Sequence, residues 1–166
     1  FVIKQEETEM LREIQVTKDK PANAMYSAAV EVKTGMAVVK NETAKTFGPA
    51  TAATAADVFF VDKERVPSGI NAARTDMSDY DEDFVTVKAN EKAKLIAYYV
   101  GERFATDQVT GLEALVVGNR LAAGTDGKLA KAGSGVASKY VFAGIYKDAN
   151  AHDLALVEVS DTPKAN

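Results

Sequence analysis

Residues 113–159 read EALVVGNRLAAGTDGKLAKAGSGVASKYVFAGIYKDANAHDLALVEV, four or five short apolar segments separated by glycine turns. The turns place the strands. The apolar run 113–117 stops at Gly118, and Asn119-Arg120-Leu121 leads to Gly124-Thr125-Asp126-Gly127. Asp-Gly is a strong hairpin signal, because both central residues of a type I′ turn take φ > 0, so a two-residue turn is predicted at Asp126-Gly127. Residues 128–132 alternate polar and apolar, the period of a half-buried strand. Gly133-Ser134-Gly135 is a second break. Residues 140–146 are aromatic and β-branched with Gly144 inside them, and a glycine there predicts a bulge or a close backbone approach. Beyond a polar connection at 147–153, residues 154–159 form the last strand.

Working towards the N-terminus, the same grammar recurs. Strands are predicted at 28–33, running into the Thr34-Gly35 turn, and at 36–40, 58–61, 84–88 and 93–100, although 93–97 would also tolerate helix; 104–106 leads into the next loop. Residues 41–48 read as a polar connection. Residues 49–57 are rich in alanine and threonine and suit a loop or a short helix capped at Thr54. Residues 62–83 are the longest polar stretch, too long for an ordinary turn. Residues 1–23 read as a polar N-terminal arm, with a weak helical spacing through Met10, Leu11 and Ile14, and residues 24–166 as the β-rich body. Eight to ten short strands with glycine-rich turns and long loops make a mostly β chain, a small β-barrel or sandwich. Strand–helix alternation and an internal repeat of 20–50 residues are both absent from the pattern. One short phrase does occur twice: Val100-Gly101-Glu102-Arg103-Phe104 and Val117-Gly118-Asn119-Arg120-Leu121 share a V-G-polar-R-apolar order, which reads as two equivalent corners or as coincidence.

Composition narrows the function classes. The 166 residues are 46% hydrophobic and 27% charged, enough for one core or for a domain plus an arm. A net charge of −4 argues against a broad grip on nucleic acid or on an anionic membrane surface. No apolar run approaches the roughly 20 residues that span a bilayer. The absence of cysteine excludes disulfides and thiolate metal sites. No signal peptide is read, and the start at Phe1 without methionine leaves room for residues upstream.

No residue pattern assembles a catalytic apparatus, so no enzymatic activity, catalytic residue or cofactor is expected. The acidic cluster Asp76, Asp79, Asp81, Glu82, Asp83 is the best place for a hard cation, and Asp79, Asp81 and Asp83 have the spacing that opens a calcium loop. The glycine such a loop needs does not follow, and Asn90 stands where a glutamate would close it, so the cluster reads as a solvated loop or a face for a basic partner. His152 is the only histidine; its neighbour Asp153 points to the opposite side of an extended chain, and no G-x-S-x-G surrounds a serine. Gly133-Ser134-Gly135 lacks the third glycine of a dinucleotide fingerprint. Acids interleave with Lys63, Arg65 and Arg74, which argues against a nucleic-acid patch. Phe59-Phe60 and Tyr98-Tyr99 read as half core and half surface. Tyr98-Tyr99 is also the one obvious pair for stacking on a sugar.

The phrases Val116-Val117-Gly118-Asn119-Arg120-Leu121, Gly124-Thr125-Asp126-Gly127-Lys128-Leu129, Phe142-Ala143-Gly144-Ile145 and Leu156-Val157-Glu158-Val159 together resemble the head-decoration (cement) proteins of tailed bacteriophages. The likeness covers residues 100–159 and consists of turn-and-strand grammar. It implies a non-enzymatic β-module on the outer capsid surface of the virion, bound to the major capsid protein, homo-oligomeric with a trimer favoured, and stabilising the mature head. The polar arm would then order on the capsid by strand addition or helix docking. Two other readings follow from the residues alone: another virion or surface β-module (tail, fibre or carbohydrate-binding), and a small hydrolase with a carboxylate pair.

Overall fold

The computed structural model describes residues 10–21, 24–51, 58–63, 85–124 and 126–166. Its strands follow from where apolar residues fall. Thirteen are present among the described residues: β1 Leu11–Gln15, β2 Tyr26–Ala28, β3 Val32–Lys33, β4 Ala37–Asn41, β5 Thr46–Pro49, β6 Phe59–Asp62, β7 Thr86–Val87, β8 Lys92–Ile96, β9 Arg103–Thr106, β10 Arg120–Ala123, β11 Leu129–Lys131, β12 Ser138–Lys147 and β13 Asp153–Lys164. The chain is mostly β, as its pattern predicts, and one of its sheets closes into a barrel. Among the described residues no helix is long and apolar enough to cross a membrane.

The barrel runs in the order β2-β5-β4-β6-β8. All its pairs are antiparallel except β2–β5. Its inside is filled by Ala28, Val38, Phe47, Val61, Ala93 and Leu95, as a small barrel must be. The two-stranded pair β3–β7 adds Val32 and Val87 to the same core. Successive side chains on a strand face opposite ways. The neighbours Ala37, Phe60 and Ile96 therefore leave the barrel and join a second core with Phe104, Leu121, Tyr140, Phe142 and Val157. Burial on both faces explains why Val58-Phe59-Phe60-Val61 carries no polar alternation.

The second sheet has the order β1-β9-β13-β12-β10-β11. It is arranged about the long β12–β13 hairpin, and Gly144 sits at φ 131° beside a register shift between Phe142 and Gly144, which is the predicted bulge. The repeated V-G-polar-R phrase marks two equivalent corners. Gly101 N donates to Val159 O (2.8 Å) while Val159 N donates to Glu102 O (3.0 Å); Gly118 N donates to Phe142 O and Phe142 N to Asn119 O (both 2.8 Å). Both corners are turns closed by an i+3 to i bond, Glu102 N to Tyr99 O and Asn119 N to Val116 O. Gly101 (φ 86°) and Gly118 (φ 97°) occupy the position where a type II turn requires φ > 0. Even the side chains correspond: Glu102 Oε2 accepts Tyr99 N, and Asn119 Oδ1 accepts Val116 N. The pairing is palindromic about Val141 and Glu158, with β9 and β10, then β1 and β11, in matching places.

Five local expectations are corrected. Residues 11–15 form strand β1 against β9 rather than part of a helix, because the sheet edge there supplies the hydrogen bonds that a short peptide helix lacks. The predicted strand at 28–33 is two strands, β2 and β3, separated by a bend at Ala29 and Val30. The polar connection 41–48 contains β5, whose Phe47 fills the barrel. The run 113–117 is a 3₁₀ turn at Leu112–Ala114 followed by the second corner, because Gly111 (φ 68°) turns the chain and Val116 and Val117 point to solvent. The β10–β11 connection is also longer than two residues. Gly124 N donates to Lys128 O (2.7 Å), and Gly127 lies within the connection at φ 77°. That loop stitches the sheet to the barrel, since Ala37 N donates to Gly127 O and Gly127 N to Ala50 O.

Candidate functional site

The acidic cluster at 76–83, with its metal candidates Asp79, Asp81 and Asp83, lies outside the described residues, as do Arg65 and Arg74. Among the described residues no group of three or more His, Asp and Glu side chains is placed to hold a metal. Lys63 is taken up structurally, donating to Thr86 O (2.8 Å) and pairing with Glu91 (3.1 Å). His152 closes the β12–β13 connection. Its Nδ1 lies 3.1 Å from Asp148 Oδ2, while Asp148 Oδ1 accepts the N–H groups of Asn150 and His152. The backbone bond from His152, ahead of its ring, holds the Asp148 carboxyl below the usual carboxylate range.

The two aromatic pairs divide between core and surface. Phe60 and Tyr98 are buried, and Tyr98 stacks on Phe104 at 4.3 Å between ring centroids. Phe59 is half-buried and Tyr99 is 47% exposed. The sugar-stacking pair therefore loses Tyr98 to the core.

Tyr99 stands beside a buried latch. Glu102 is fully buried. Its Oε1 accepts Thr17 N, Thr17 Oγ1 and Lys18 N, and its Oε2 accepts Tyr99 N and the Lys20 ammonium. Burial alone would raise this carboxyl; the bonds from Lys20 and from the backbone N–H groups of Tyr99, Thr17 and Lys18 outweigh it and pull the pKa down to about 2. The latch pins the segment that follows β1 across the end of the barrel.

That end is the barrel's mouth, and it is the candidate site. Tyr26, Lys40, Phe59 and Ala97 share the strand period of the interior residues Ala28, Val38, Val61 and Leu95, so the inward row continues to the rim. Together with Lys20, Met25 and Tyr99 they bound an open cavity of about 250 Å³, and Leu95 forms its floor. Lys40 holds its ammonium 4.1 Å from the centre of the Phe59 ring and 4.7 Å from that of Tyr26. Lys18 and Lys20 lie over the Tyr99 ring at 4.4 and 5.0 Å. At the rim Tyr26 Oη donates to Glu42, whose carboxyl is held below its usual range by the hydrogen bond from Lys45 and then by that from Tyr26. Chemically, the mouth offers an apolar floor under ammonium groups seated on aromatic faces, an arrangement in which each cation is attracted by the ring quadrupole.

Sequence reasoning missed this site. Its one signal is the register of 37–40, which puts a lysine in the same inward row as Val38. Which strands curl round to meet Lys40 is set by pairings far apart in the chain. Set against known proteins, the chain matches no described family, no curated protein and no solved structure.

Proposed function

We propose that the protein is a non-enzymatic decoration protein that binds the outer surface of a phage capsid, through its major capsid protein, and stabilises the mature head. One observation carries the reading. The four phrases of the resemblance fall on β10, the β10–β11 loop, β12 and β13, which are neighbours in one sheet. The likeness thus covers a physical unit rather than scattered turns. The exposed aliphatic tips of the two corners, Val100, Val116 and Val117, suit a role in contacts between proteins. A trimer would let individually weak contacts add through avidity.

Co-sedimentation of the purified protein with expanded heads lacking it tests the proposal. Saturation at a fixed ratio to the major capsid protein is expected; no binding at any maturation stage rejects it. The arm's share in attachment is measured with a chain lacking residues 1–9, because removing residues 1–20 would also strip Thr17, Lys18 and Lys20 from Glu102. Weaker sedimentation of the shorter chain is expected, and unchanged sedimentation rejects an arm in that segment.

A further inference from the structure

We propose that the barrel mouth docks a short acidic segment of a protein partner, with a carboxylate received by Lys40 and an apolar side chain set on the Leu95 floor. The inference stands on the mouth alone and does not require the partner to be a capsid subunit. Lys40 is the central observation. It is half-buried at the inner rim, over Phe59 and Tyr26, and makes no ion pair among the described residues. Glu42, an acid that feels its charge, is already bonded to Lys45 and Tyr26. Lys18, over Tyr99, likewise has no carboxylate on its ammonium among the described residues, whereas Lys20 is neutralised by Glu102. Among the described residues, a chain with a net charge of −4 therefore keeps Lys40 at its barrel mouth and Lys18 beside it without an ion pair, with Asp19 as the single carboxylate bounding the cavity.

Size and shape select the form of the ligand. About 250 Å³ is below the roughly 300–1,000 Å³ of small-molecule sites, and holds one or two side chains. The mouth is open, and its rim carries apolar surface outward on Met25, 70% exposed, and Tyr99. An extended peptide uses that outer surface; a free carboxylic acid does not. The lysines also cover the ring faces on which a sugar would stack, which disfavours a saccharide here.

The test is fluorescence anisotropy with a labelled peptide of alternating glutamate and leucine, against the same peptide with glutamine for glutamate. Saturable binding of the acidic peptide, weakening as salt rises from about 50 to about 300 mM, is expected. Lys40→Met keeps the side chain's length over the rings and should lower affinity about tenfold, the factor for a lost contact of ~1.4 kcal/mol. Lys131→Met, exposed at the end of β11, should leave it unchanged and rules out a general charge effect. Equal binding of the glutamine peptide, equal binding by Lys40→Met, displacement by octanoate at the peptide's own concentration, or no binding at all would each overturn the proposal. Head attachment is scored separately, so peptide binding without co-sedimentation leaves this inference standing and removes the capsid reading, and the reverse result does the opposite.

Discussion

At the scale of single residues, the buried carboxylate of Glu102 has the largest predictable effect. Its five donors include the Lys20 ammonium, and removing one partner from a buried ion pair leaves a charge that neither water nor protein solvates. Lys20→Met preserves most of the packing over the tyrosines and should cost about 3 kcal/mol in urea denaturation. The pH dependence has a definite sign. The folded-state pKa is depressed to about 2 from 4.5, so the stabilisation is present above about 4.5 and is lost as pH falls towards 2. Glu102→Gln should be less stable at neutral pH and flatter than the wild type across that window; parallel curves would show that Glu102 is not the titrating group. Gly127 makes a second case. A Cβ there would lie 2.9 Å from Ala37 O, on a backbone already at φ 77°. Gly127→Val should lower Tm by roughly 5–10 °C, from about 2–4 kcal/mol of clash and strain. An unmoved Tm would mean that the loop does not rest on the barrel. The glycine's role as a turn is legible in the sequence; its contact with the barrel is not. Nor is the role of Glu102, whose Thr17, Lys18 and Lys20 donors lie 82 to 85 residues away in the chain.

At the scale of elements, local chemistry determined what the sequence could disclose. Local signals identify β4 by the turn before it, β6 by its compact apolar run, and the β12–β13 hairpin by its aromatic, β-branched strands and internal glycine. β5 hides in a polar stretch, since only Phe47 and the other barrel strands make it a strand. The run 113–117 misleads in the opposite way: it is apolar, but Gly111 and Gly118 turn it outwards. The two V-G-polar-R corners lie between these extremes. Their likeness is visible in the residues, while their shared task, each clamping both backbone groups of one residue in the central hairpin, needs the sheet. A direct consequence can be measured. A Cβ added at Gly101 or at Gly118 would meet no atom within 4 Å beyond its chain neighbours, so a substitution meets backbone strain alone. Gly101→Ala and Gly118→Ala should therefore cost nearly equal amounts, about 1–2 kcal/mol each. The corners share no partner, so the double variant should show the sum within about 0.5 kcal/mol. Unequal penalties in chemical denaturation would break the equivalence.

At the scale of the whole molecule, alternation and turns could establish a mostly β chain but could not choose between a barrel and a sandwich, since inward-facing residues alternate in the same way in both. Closure depends on the parallel β2–β5 pair and the antiparallel β2–β8 pair, contacts that no local pattern encodes. Another barrel strand, β6, joins barrel to sheet. Phe60 on β6 packs at 4.5 Å from Phe104 on β9 and meets Tyr140 on β12 edge-on at 5.6 Å, while Tyr98 stacks on Phe104. One aromatic cluster therefore belongs to both sheets, and neither sheet can lose it without exposing the other's core. The two should unfold together. Phe60→Ala removes the ring at the centre of this cluster and should cost about 3–5 kcal/mol. It should also leave a single transition, with far-UV dichroism reporting the strands and near-UV dichroism reporting Tyr98 and Tyr140 at the same midpoint. If the variant instead showed two separated midpoints, the barrel and the sheet would be independent folding units, and the aromatic cluster would be an interface between them rather than a common core.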